Sequence, residues 1–531
     1  EAPRSAVQSG SPYMQKRVAD FLEDASARGL VKCATDNGAG GLSSSVGELA
    51  RLSGGAAVEL ERVPLKYAGV APWEIFVSES QERMTLVVAE EDAAAFAALA
   101  AAYDVEATDV GRFTSSGTLR APHAGSPVVH LDLDFLHRGT PRKHLEAEWA
   151  APDVAEPEVP AGLDWTRVLR DLLGSYSLCS RAAVVRQFDH EIKGRTVVKP
   201  LMGRSGEGPQ DAAVLRLDWE TYRGVAVSNG ICPRYGDIDP YAMSAAAFDE
   251  AVRQIVAVGG RLPRPGAEEP AFWSANDNFC LPNVVHDEAS NPDGRTKLGK
   301  LVRMCEALFD MAVAYRVPLT SGKDSMKNDF RAGGRTISVP PTVLYSIAAG
   351  IPDVRRCVTA DFQAAGDAIY VVGRTNDELG GSEFYRWLGA LGRNVPRVAP
   401  DAARERYRRL SEAIAGGHVA SCHDVSDGGL AVALFESAMG GEFGIDVDVG
   451  DVAPGERPHV ALFSETASRF VVSVPPAEKG AFESVLGGEA VLVGRVIAER
   501  EMRLSMGACS LVAAELASLA EAWRNGLEAV L

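Results

Sequence analysis

The 531-residue sequence lacks the hallmarks of several large classes of protein. No uninterrupted apolar run approaches the roughly 18 residues of a membrane span, so we expect no membrane insertion. Its eight cysteines are scattered and form no CxxC pair, which favours a reducing, cytoplasmic location over a disulfide framework. Basic residues are too few for nucleic-acid binding: 54 Lys and Arg stand against 72 Asp and Glu, a formal charge of −18.

Several catalytic signatures are also missing. The sequence has no Ser-His-Asp order, no HExxH and no Cys/His zinc spacing. The lack of an elaborate acid–base set fits phosphoryl transfer, in which positioning and charge neutralisation by Mg²⁺ do most of the work. The first residues contain no apolar signal core and begin at Glu1, so we expect a processed or truncated product.

What the sequence does contain is an internal repeat. Asp36-Asn-Gly-Ala-Gly-Gly-Leu has a counterpart 388 positions later, Asp424-Val-Ser-Asp-Gly-Gly-Leu. Ser78-Glu-Ser-Gln-Glu-Arg has a counterpart 386 positions later, Ser464-Glu-Thr-Ala-Ser-Arg, and both precede an apolar strand-like run. Two unrelated motifs that keep nearly one offset predict two copies of the same domain.

The repeat divides the chain into four predicted segments. The copies span residues 1–145 and 356–531, and a Pro-, Glu- and Ala-rich stretch at 146–165 is typical of a linker. Residues 166–355 form a different domain, with strand-like runs and helical periodicity over 245–258 and 298–315. Mixed strands and helices throughout predict an α+β (α/β mixed) fold.

The Asp36 motif suits the binding of a phosphate. Glycines allow backbone N–H groups to approach an anion, the following segment from Leu42 is predicted to be a helix, and Asp36 could hold Mg²⁺. The alternative is a strand–turn–helix junction without a ligand. The second copy adds the oxygen ligands of Ser426 and Asp427 to Asp424, and His423 is interpreted as a structural residue instead of a base.

The second repeated motif places Glu79, Ser80, Gln81 and Arg83 just ahead of a buried-looking strand. Ser and Gln side chains could donate hydrogen bonds to a phosphate or an amide. The alternative is a polar turn with a surface ion pair. The second copy has Thr466 and Ala467 at the positions of Ser80 and Gln81, so the first copy is the better candidate for substrate binding.

The middle domain carries Thr320-Ser-Gly-Lys-Asp-Ser-Met, directly after a predicted strand at 317–319. Lys323 could neutralise phosphate and Asp324 could hold a metal, although the spacing of a P-loop is absent. The alternative is a capped turn with a solvated lysine. Further carboxylate and amide candidates are Asp211, Ser274–Asn278, and Glu250 with Gln254, which share one face of a predicted helix.

Together these motifs resemble the formylglycinamide ribonucleotide amidotransferases, also called phosphoribosylformylglycinamidine synthases. The resemblance covers nearly the whole chain. It rests on Gln8-Ser-Gly-Ser-Pro, Asp36-Asn-Gly-Ala-Gly-Gly-Leu, Pro72-Trp-Glu-Ile, Ser78-Glu-Ser-Gln-Glu-Arg-Met, Asp239-Pro-Tyr, Gly322-Lys-Asp-Ser-Met and His423-Asp-Val-Ser-Asp-Gly-Gly-Leu.

The resemblance implies tandem aminoimidazole-ribonucleotide-synthetase-like domains, here two C-domains flanking one N-domain. It implies a ligase of purine biosynthesis in which ATP phosphorylates the amide oxygen of formylglycinamide ribonucleotide. Glutamine-derived ammonia, supplied by a glutaminase domain or subunit, then displaces phosphate from the iminophosphate. The first N-domain of the family, which holds its catalytic His, has no counterpart in this sequence, so we expect a fragment or one subunit of a split enzyme.

The resemblance also implies site residues. Gln8, Glu79, Ser80 and Gln81 would contact the ribonucleotide, and Asp36 would bind Mg²⁺. Asp277, Gly322 and Lys323 would complete the ATP end, together with Ser325, which is also assigned to substrate. An auxiliary site for ATP or ADP would use Asp211, Glu250, Asp424 and Ser426, with Gln254 as a further metal ligand where the family usually has Asn.

Two other functions compete with the ligase. One is a non-catalytic nucleotide-binding scaffold that stabilises a partner. The other is a single-unit enzyme such as aminoimidazole ribonucleotide synthetase, which the second copy of the C-domain disfavours. Without the first N-domain, an exposed sheet edge and apolar face would remain, which predicts poor solubility of this chain alone.

Overall fold

The computed structural model describes residues 10–65, 68–188, 190–264, 272–453, 455 and 457–527. The substrate candidate Gln8 lies outside these residues. The chain divides into two compact units, Glu1–His144 and Leu145–Leu531. Over the described ranges, none of the helices has the length and apolar character needed to cross a membrane.

The secondary structure mixes helices and strands along the whole chain. The helices are α1 (Pro12–Ala27), α2 (Leu42–Ser53), α3 (Pro72–Val77), α4 (Ala93–Ala102), α5 (Leu133–Arg138), α6 (Trp165–Leu173), α7 (Ala182–Val185), α8 (Pro240–Ala257), α9 (Gly294–Tyr315), α10 (Glu383–Trp387), α11 (Pro400–Gly416), α12 (Gly429–Gly441), α13 (Pro458–Phe463), α14 (Lys479–Leu486) and α15 (Leu516–Asn525).

The strands form two large sheets, one smaller sheet and several two-stranded ribbons. They are β1 (Cys33–Asp36), β2 (Ala56–Val58), β3 (Met84–Val87), β4 (Gly111–Phe113), β5 (Thr118–His123), β6 (Ser126–Asp132), β7 (Thr196–Val198), β8 (Leu201–Met202), β9 (Gly208–Pro209), β10 (Ala213–Arg216), β11 (Gly224–Gly230), β12 (Trp273–Cys280), β13 (Leu319–Ser325), β14 (Asp329–Ala332), β15 (Arg335–Ser338), β16 (Thr342–Ile351), β17 (Ala368–Val372), β18 (Ser421–Val425), β19 (Gly444–Asp448), β20 (Arg469–Val474), β21 (Ala490–Ile497), β22 (Glu501–Met506) and β23 (Cys509–Glu515).

The first unit pairs β1 with β3 and builds a separate sheet in the order β4-β2-β5-β6. Helix α2 buries Leu42 and Val46 in the core beside the second sheet, which contributes Leu119 and Ala121. It ends at Gly54, whose left-handed conformation (φ 89°) closes the helix with a hydrogen bond from its N–H to the Ala50 carbonyl. This helix therefore fixes the glycine-rich turn that precedes it.

The middle of the second unit is a sheet in the order β13-β12-β16-β11-β10-β7. Helix α8 begins where Asp239 caps the Tyr241 N–H, with Pro240 in the first turn. Its small residues, including Ala246, Ala247 and Ala251, are buried. The helix contacts β11 and β16 of this sheet as well as β18 and α11 beyond it.

The last third of the chain forms a sheet in the order β18-β20-β17-β21-β19-β22-β23. Its pairings repeat those of the first unit. Asp36 lies opposite Met84 in the first copy, and Asp424 lies opposite Phe470 in the second, which reproduces both sequence offsets. The orders β4-β2-β5-β6 and β21-β19-β22-β23 also match, with β2–β5 and β19–β22 as the parallel pairs. The mixed fold and the two flanking copies are confirmed.

Two segments differ from the simplest expectation. Thr320–Ser325 was predicted to follow a strand, but these residues are themselves the edge strand β13. The preceding segment explains this, because Val317 is fully buried and the chain becomes extended only after Pro318. Helix α6 is the first element of the predicted middle domain, but it packs against strand β23 of the last sheet and against helix α15.

The predicted linker is held by specific contacts within the second unit. The Glu156 carboxylate accepts hydrogen bonds from the N–H groups of Arg393 (2.7 Å) and Asn394 (2.6 Å). Glu146 and Glu148 form ion pairs with Arg295 at 2.9 and 3.4 Å. Residues 146–160 form neither helix nor strand and are mostly exposed, so this stretch lies on the surface of the second unit.

Candidate functional site

The first-copy turn joins β1 to α2 through Asp36 and the glycines that follow it. The Asp36 carboxylate is exposed and accepts a hydrogen bond from the Gly38 N–H (2.8 Å). The Gly40 N–H donates to Glu79 at 3.2 Å. Gly41 has φ 56°, and a Cβ there would lie 2.1 Å from the Ser78 carbonyl oxygen. Only glycine therefore allows the turn to sit this close to the Ser78 loop.

Arg83 holds the Ser78–Arg83 loop in place. Its guanidinium donates to the Ser80 carbonyl at 3.1 Å and also to the Ser78 carbonyl. Burial lowers the pKa of Arg83. Because the guanidinium is engaged with the backbone, Arg83 positions the loop, while Glu79 and Ser80 stay partly accessible and Gln81 is exposed.

This first-copy turn fits the binding of a magnesium-bound phosphate. It offers an exposed carboxylate on Asp36 and a second carboxylate on Glu79, beside the first residues of α2. Carboxylate oxygens are the ligands that Mg²⁺ prefers, and the N-terminus of a helix attracts anions. The turn thus presents carboxylate oxygens that suit a metal ion and a helix N-terminus that suits an anion.

The second-copy turn, residues 424–429, has the same framework, but the glutamate and arginine that hold it are buried, while Asp427 stays exposed. The Gly428 N–H donates to Glu465 at 2.8 Å, as Gly40 does to Glu79. Arg469 donates to the carbonyls of Thr466 (2.8 Å) and Ser464 (2.5 Å), as Arg83 does in the first copy. Arg469 is 0% exposed, and burial lowers its pKa to about 10.

Glu465 differs from its first-copy equivalent, Glu79, in its burial and in its hydrogen-bond partners. It is 4% exposed and also accepts hydrogen bonds from the Tyr235 hydroxyl (2.7 Å) and the Glu383 N–H (2.9 Å). Burial, reinforced by the nearby charge of Asp427, raises the pKa of Glu465 to about 8. The equivalent of the accessible Glu79 is therefore an internal, largely protonated residue near neutral pH.

A polar cluster lies beside the second-copy turn. Nδ1 of His423 is 2.6 Å from Asp211, and its Nε2 is 3.0 Å from Glu436. Burial would lower the pKa of His423, but the carboxylates of Asp211 and Glu436 outweigh it and raise that pKa well above its usual value. A carboxylate therefore lies at each ring nitrogen of His423, and the interpretation of this histidine as a structural residue stays a prediction.

The predicted auxiliary ligands are only partly brought together. Within the described residues, one trio has possible ligand atoms within 4.8 Å of one another: Asp211, His423 and Asp424. Glu250 does not belong to it. The Glu250 carboxylate accepts the Ile231 N–H at 2.9 Å, and burial raises its pKa to about 8. Gln254 accepts the Asn229 N–H at 3.4 Å.

The polar cluster around Asp211, His423 and Asp424, which we call the second-copy cluster, fits a bound cation poorly. Arg253 of α8 donates to Asp424 at 2.9 Å and to Asp249 at 3.1 Å, with its side chain 4% exposed. Asp249 in turn accepts hydrogen bonds from the hydroxyls of Tyr407 (2.6 Å) and Ser468 (3.0 Å). The charges of Asp249 and Asp424 are thus already paired with protein donors. Ser426, also assigned to this site, is half-buried beside it.

The third group of candidates lies on neighbouring strands β12 and β13. Asp277 pairs with Gly322, and Asn278 pairs with Lys323. Because side chains alternate along a strand, Lys323 and Ser325 leave the sheet on the face opposite Asp277. Burial raises the pKa of Asp277, and Asp324 adds to the shift. The hydroxyl of Ser325 lies 3.2 Å from the Asn328 side chain.

Sequence reasoning missed the residues that complete the second-copy cluster. Arg253, Asp249, Glu436 and Tyr235 carry no motif, and they reach the cluster from three different elements. One signal was available in the sequence. Arg253 stands between the predicted ligands Glu250 and Gln254, where a positive charge is unexpected beside a metal.

Comparison with known proteins agrees with the repeated pairings. The family described as AIR synthase related protein, C-terminal domain, matches residues 1–123 and again 364–507, together just over half of the chain. The chain belongs to this family. Its two matched segments are the two copies that the offsets and strand registers define.

Individual relatives extend the similarity through the middle of the chain. It is 34% identical over 516 residues to a phosphoribosylformylglycinamidine synthase subunit PurL of a Nocardioides species, which covers 93% of this chain and 64% of the relative. The PurL of Ignicoccus hospitalis is also 34% identical, with 93% and 66% covered. The chain therefore spans about two thirds of the length of these curated relatives.

Solved structures show the same fold. Thermotoga maritima PurL complexed with AMPPCP is 21% identical, with a TM-score of 0.62, and the match covers 92% of this chain and 68% of that one. The same protein complexed with FGAR gives a TM-score of 0.61 at 20% identity, with 92% and 66% covered. At this identity the likeness establishes the architecture.

Proposed function

We propose that the chain forms part of an ATP-dependent carbon–nitrogen ligase that converts formylglycinamide ribonucleotide to formylglycinamidine ribonucleotide. The observation that carries this proposal is the accessible first-copy turn, in which Asp36, Glu79, Ser80 and Gln81 keep their side chains available on a rigid framework. The relatives named phosphoribosylformylglycinamidine synthase subunit support it, as does the FGAR complex of a protein with this fold.

The proposed reaction uses this chain to position charges. The γ-phosphoryl group of ATP moves to the amide oxygen of the substrate, and ADP leaves. Ammonia then forms the new C–N bond, and inorganic phosphate leaves with the former amide oxygen. Ser80 and Gln81 would bind and orient the substrate by hydrogen bonds, since both carry donors and acceptors near the surface.

Magnesium and ATP complete the proposal. Asp36 would hold Mg²⁺, which neutralises phosphate charge when bound, and the first turn of α2 would face the phosphates. Asp277, Gly322, Lys323 and Ser325 are proposed to contribute to the ATP end, divided between the two faces of β12 and β13. Support comes from PurL complexed with AMPPCP, with ADP and with ATP.

The proposed partners follow from the chemistry and the length of the chain. The reaction needs ammonia, and we propose a glutaminase domain or subunit as its source. The structure of PurLQS from Thermotoga maritima is consistent with such an assembly. We also propose that a first N-domain supplies the remaining catalytic residues. The 64% coverage of the Nocardioides relative leaves room for it.

The test measures ATP-dependent product formation with ammonium chloride as the nitrogen donor, so that the glutaminase is not needed. The chain is assayed alone and together with the first N-domain of a relative. We expect activity only in the second case, with Ser80→Ala and Gln81→Ala each raising KM for the ribonucleotide at least tenfold. Thr466→Ser, at the equivalent position of the second copy, is the control and should leave KM unchanged.

The scaffold function is the second candidate, because Asp424 and Glu465 of the second copy are buried and paired with protein donors. It predicts that Ser80→Ala and Gln81→Ala leave both KM and kcat unchanged while the chain still stabilises its partner. That outcome would overturn the substrate assignment and favour the scaffold.

A further inference from the structure

Arg253 occupies the centre of the second-copy cluster. It is carried by α8, and its side chain is 4% exposed. Its Nε donates to Asp424 at 2.9 Å, and its terminal nitrogen Nη1 donates to Asp249 at 3.1 Å. An arginine is permanently charged, so this side chain bridges two buried carboxylates as a fixed monovalent cation.

Each predicted metal ligand already accepts a hydrogen bond from the protein. Asp424 accepts from Arg253, and the two oxygens of Asp211 face His423 (2.6 Å) and the Asp424 N–H (3.2 Å). The outer ligands behave alike: Glu250 accepts from the Ile231 N–H, and Gln254 from the Asn229 N–H. A metal ion would have to share these groups with the protein donors or use their remaining lone pairs.

The position of Arg253 also opposes a second cation on electrostatic grounds. Magnesium demands octahedral oxygen ligands at about 2.0–2.1 Å. A cation bound to Asp424 would lie a few ångströms from the Arg253 guanidinium, whose Nε is 2.9 Å from Asp424 Oδ2. Like charges this close inside the protein repel strongly.

We propose that Arg253, with His423, takes the place of the divalent cation that Asp211, Glu250, Gln254 and Asp424 were predicted to bind. The second copy is then a metal-independent ion-pair cluster, and it holds no magnesium-bound nucleotide. Its role is to join α8 to β18 within the second unit. This inference does not depend on the proposed reaction, because it concerns only the second copy.

The first experiment uses the unaltered 531-residue chain. Bound nucleotide and magnesium are measured by native mass spectrometry, and thermal unfolding is followed with EDTA and with Mg²⁺ and ADP. Hydrogen exchange then compares the peptides around Asp36 and around Asp424. We expect hydrogen exchange at 421–429 to be unaffected by EDTA and unprotected by Mg²⁺–ADP, whatever either does around Asp36. Retained nucleotide that protects 421–429, or faster exchange of 421–429 in EDTA, would overturn the proposal.

The second experiment asks what happens when the cation is removed. We expect Arg253→Ala to lower the melting temperature and to make it depend on magnesium, with partial recovery at millimolar Mg²⁺. Arg253→Lys keeps the charge and should remain independent of magnesium. The control is Arg303→Ala, which breaks an ion pair with Asp239 elsewhere in the unit and should not recover with Mg²⁺.

Each result has a definite meaning. A melting temperature of Arg253→Ala that equals the unaltered value without metal would contradict the proposal, because the carboxylates would then need no cation. Equal recovery of Arg253→Ala and Arg303→Ala by Mg²⁺ would also contradict it, because it would reveal a general salt effect. If Arg253→Ala does not fold, the measurements on the unaltered chain and on Arg253→Lys still decide.

Discussion

The two copies of the repeated domain share a framework and differ in what surrounds it. In both, a glycine N–H donates to a glutamate, Glu79 or Glu465, and an arginine, Arg83 or Arg469, holds two backbone carbonyls. These contacts stay inside the repeat, so they survive in either environment. The motif therefore specifies a rigid loop, and the residues packed around that loop determine whether it is available to a ligand.

The environment of the second copy is supplied by other elements. Strand β17 joins β20 to β21 in one continuous sheet, whereas the described part of the first unit keeps the β1–β3 ribbon and the other sheet separate. Tyr235 and Arg253, both from outside the repeat, contact the second copy directly. Burial then turns polar side chains that could serve a ligand into internal structural groups.

The largest expected effect concerns the two arginines. Arg469→Met removes a fully buried donor and leaves the carbonyls of Ser464 and Thr466 unpaired, so we expect a loss of about 3–5 kcal/mol in the free energy of unfolding. Arg83→Met should cost only about 1 kcal/mol, because solvent can reach part of its loop. Urea unfolding, with hydrogen exchange to locate the loss, measures both. Equal losses would contradict the comparison.

The glycines at the start of α2 and α12 test what the copies share. Gly41 and Gly429 have φ of 56° and 69°, and a Cβ at Gly429 would lie 2.7 Å from the Ser464 carbonyl oxygen. We expect Gly41→Ala and Gly429→Ala to cost about 2–3 kcal/mol each, since both strain the backbone and push the loop away. Urea unfolding measures these losses. A cost at one position alone would show that only one turn needs glycine.

The protonation of Glu465 gives the copies different responses to pH. Because its folded pKa of about 8 exceeds the usual 4.5, the folded protein binds this proton more tightly, and stability falls as pH rises through that range. Glu465→Gln should remove a loss of about 2 kcal/mol between pH 6 and 8. Unfolding at several pH values measures the slope. An unchanged slope would contradict a largely protonated Glu465.

The smallest expected effect on stability comes from Asp36→Asn. Asp36 is exposed and accepts one hydrogen bond from Gly38, which an asparagine oxygen can also accept, so stability should change by less than about 0.5 kcal/mol. Magnesium-dependent ATP turnover of the assembled enzyme should nevertheless fall at least a hundredfold. Thermal unfolding and the ammonium assay together test this. A large loss of stability would mean that Asp36 is structural, as Asp424 is.

Much of the fold was predictable because it depends on local pattern. The two sequence offsets predicted the repeat, and the strand registers Asp36–Met84 and Asp424–Phe470 confirm it. Helical periodicity located α8 and α9, since their apolar positions follow the helical turn. The edge strand β13 was missed, because its Thr, Ser, Gly, Lys and Asp residues resemble a turn and pair only through the neighbouring β12.

The sequence by itself determined the repeat, the glycine turns and the polar residues of both loops, because each follows from a few neighbouring residues. The tertiary structure alone decided which loop is accessible. Tyr235 and Arg253 reach the second copy from outside the repeat, and the ion pair of Arg253 with Asp424 depends on the packing of α8 against β18. Burial and charge pairing are properties of that packing, so no local motif encodes them.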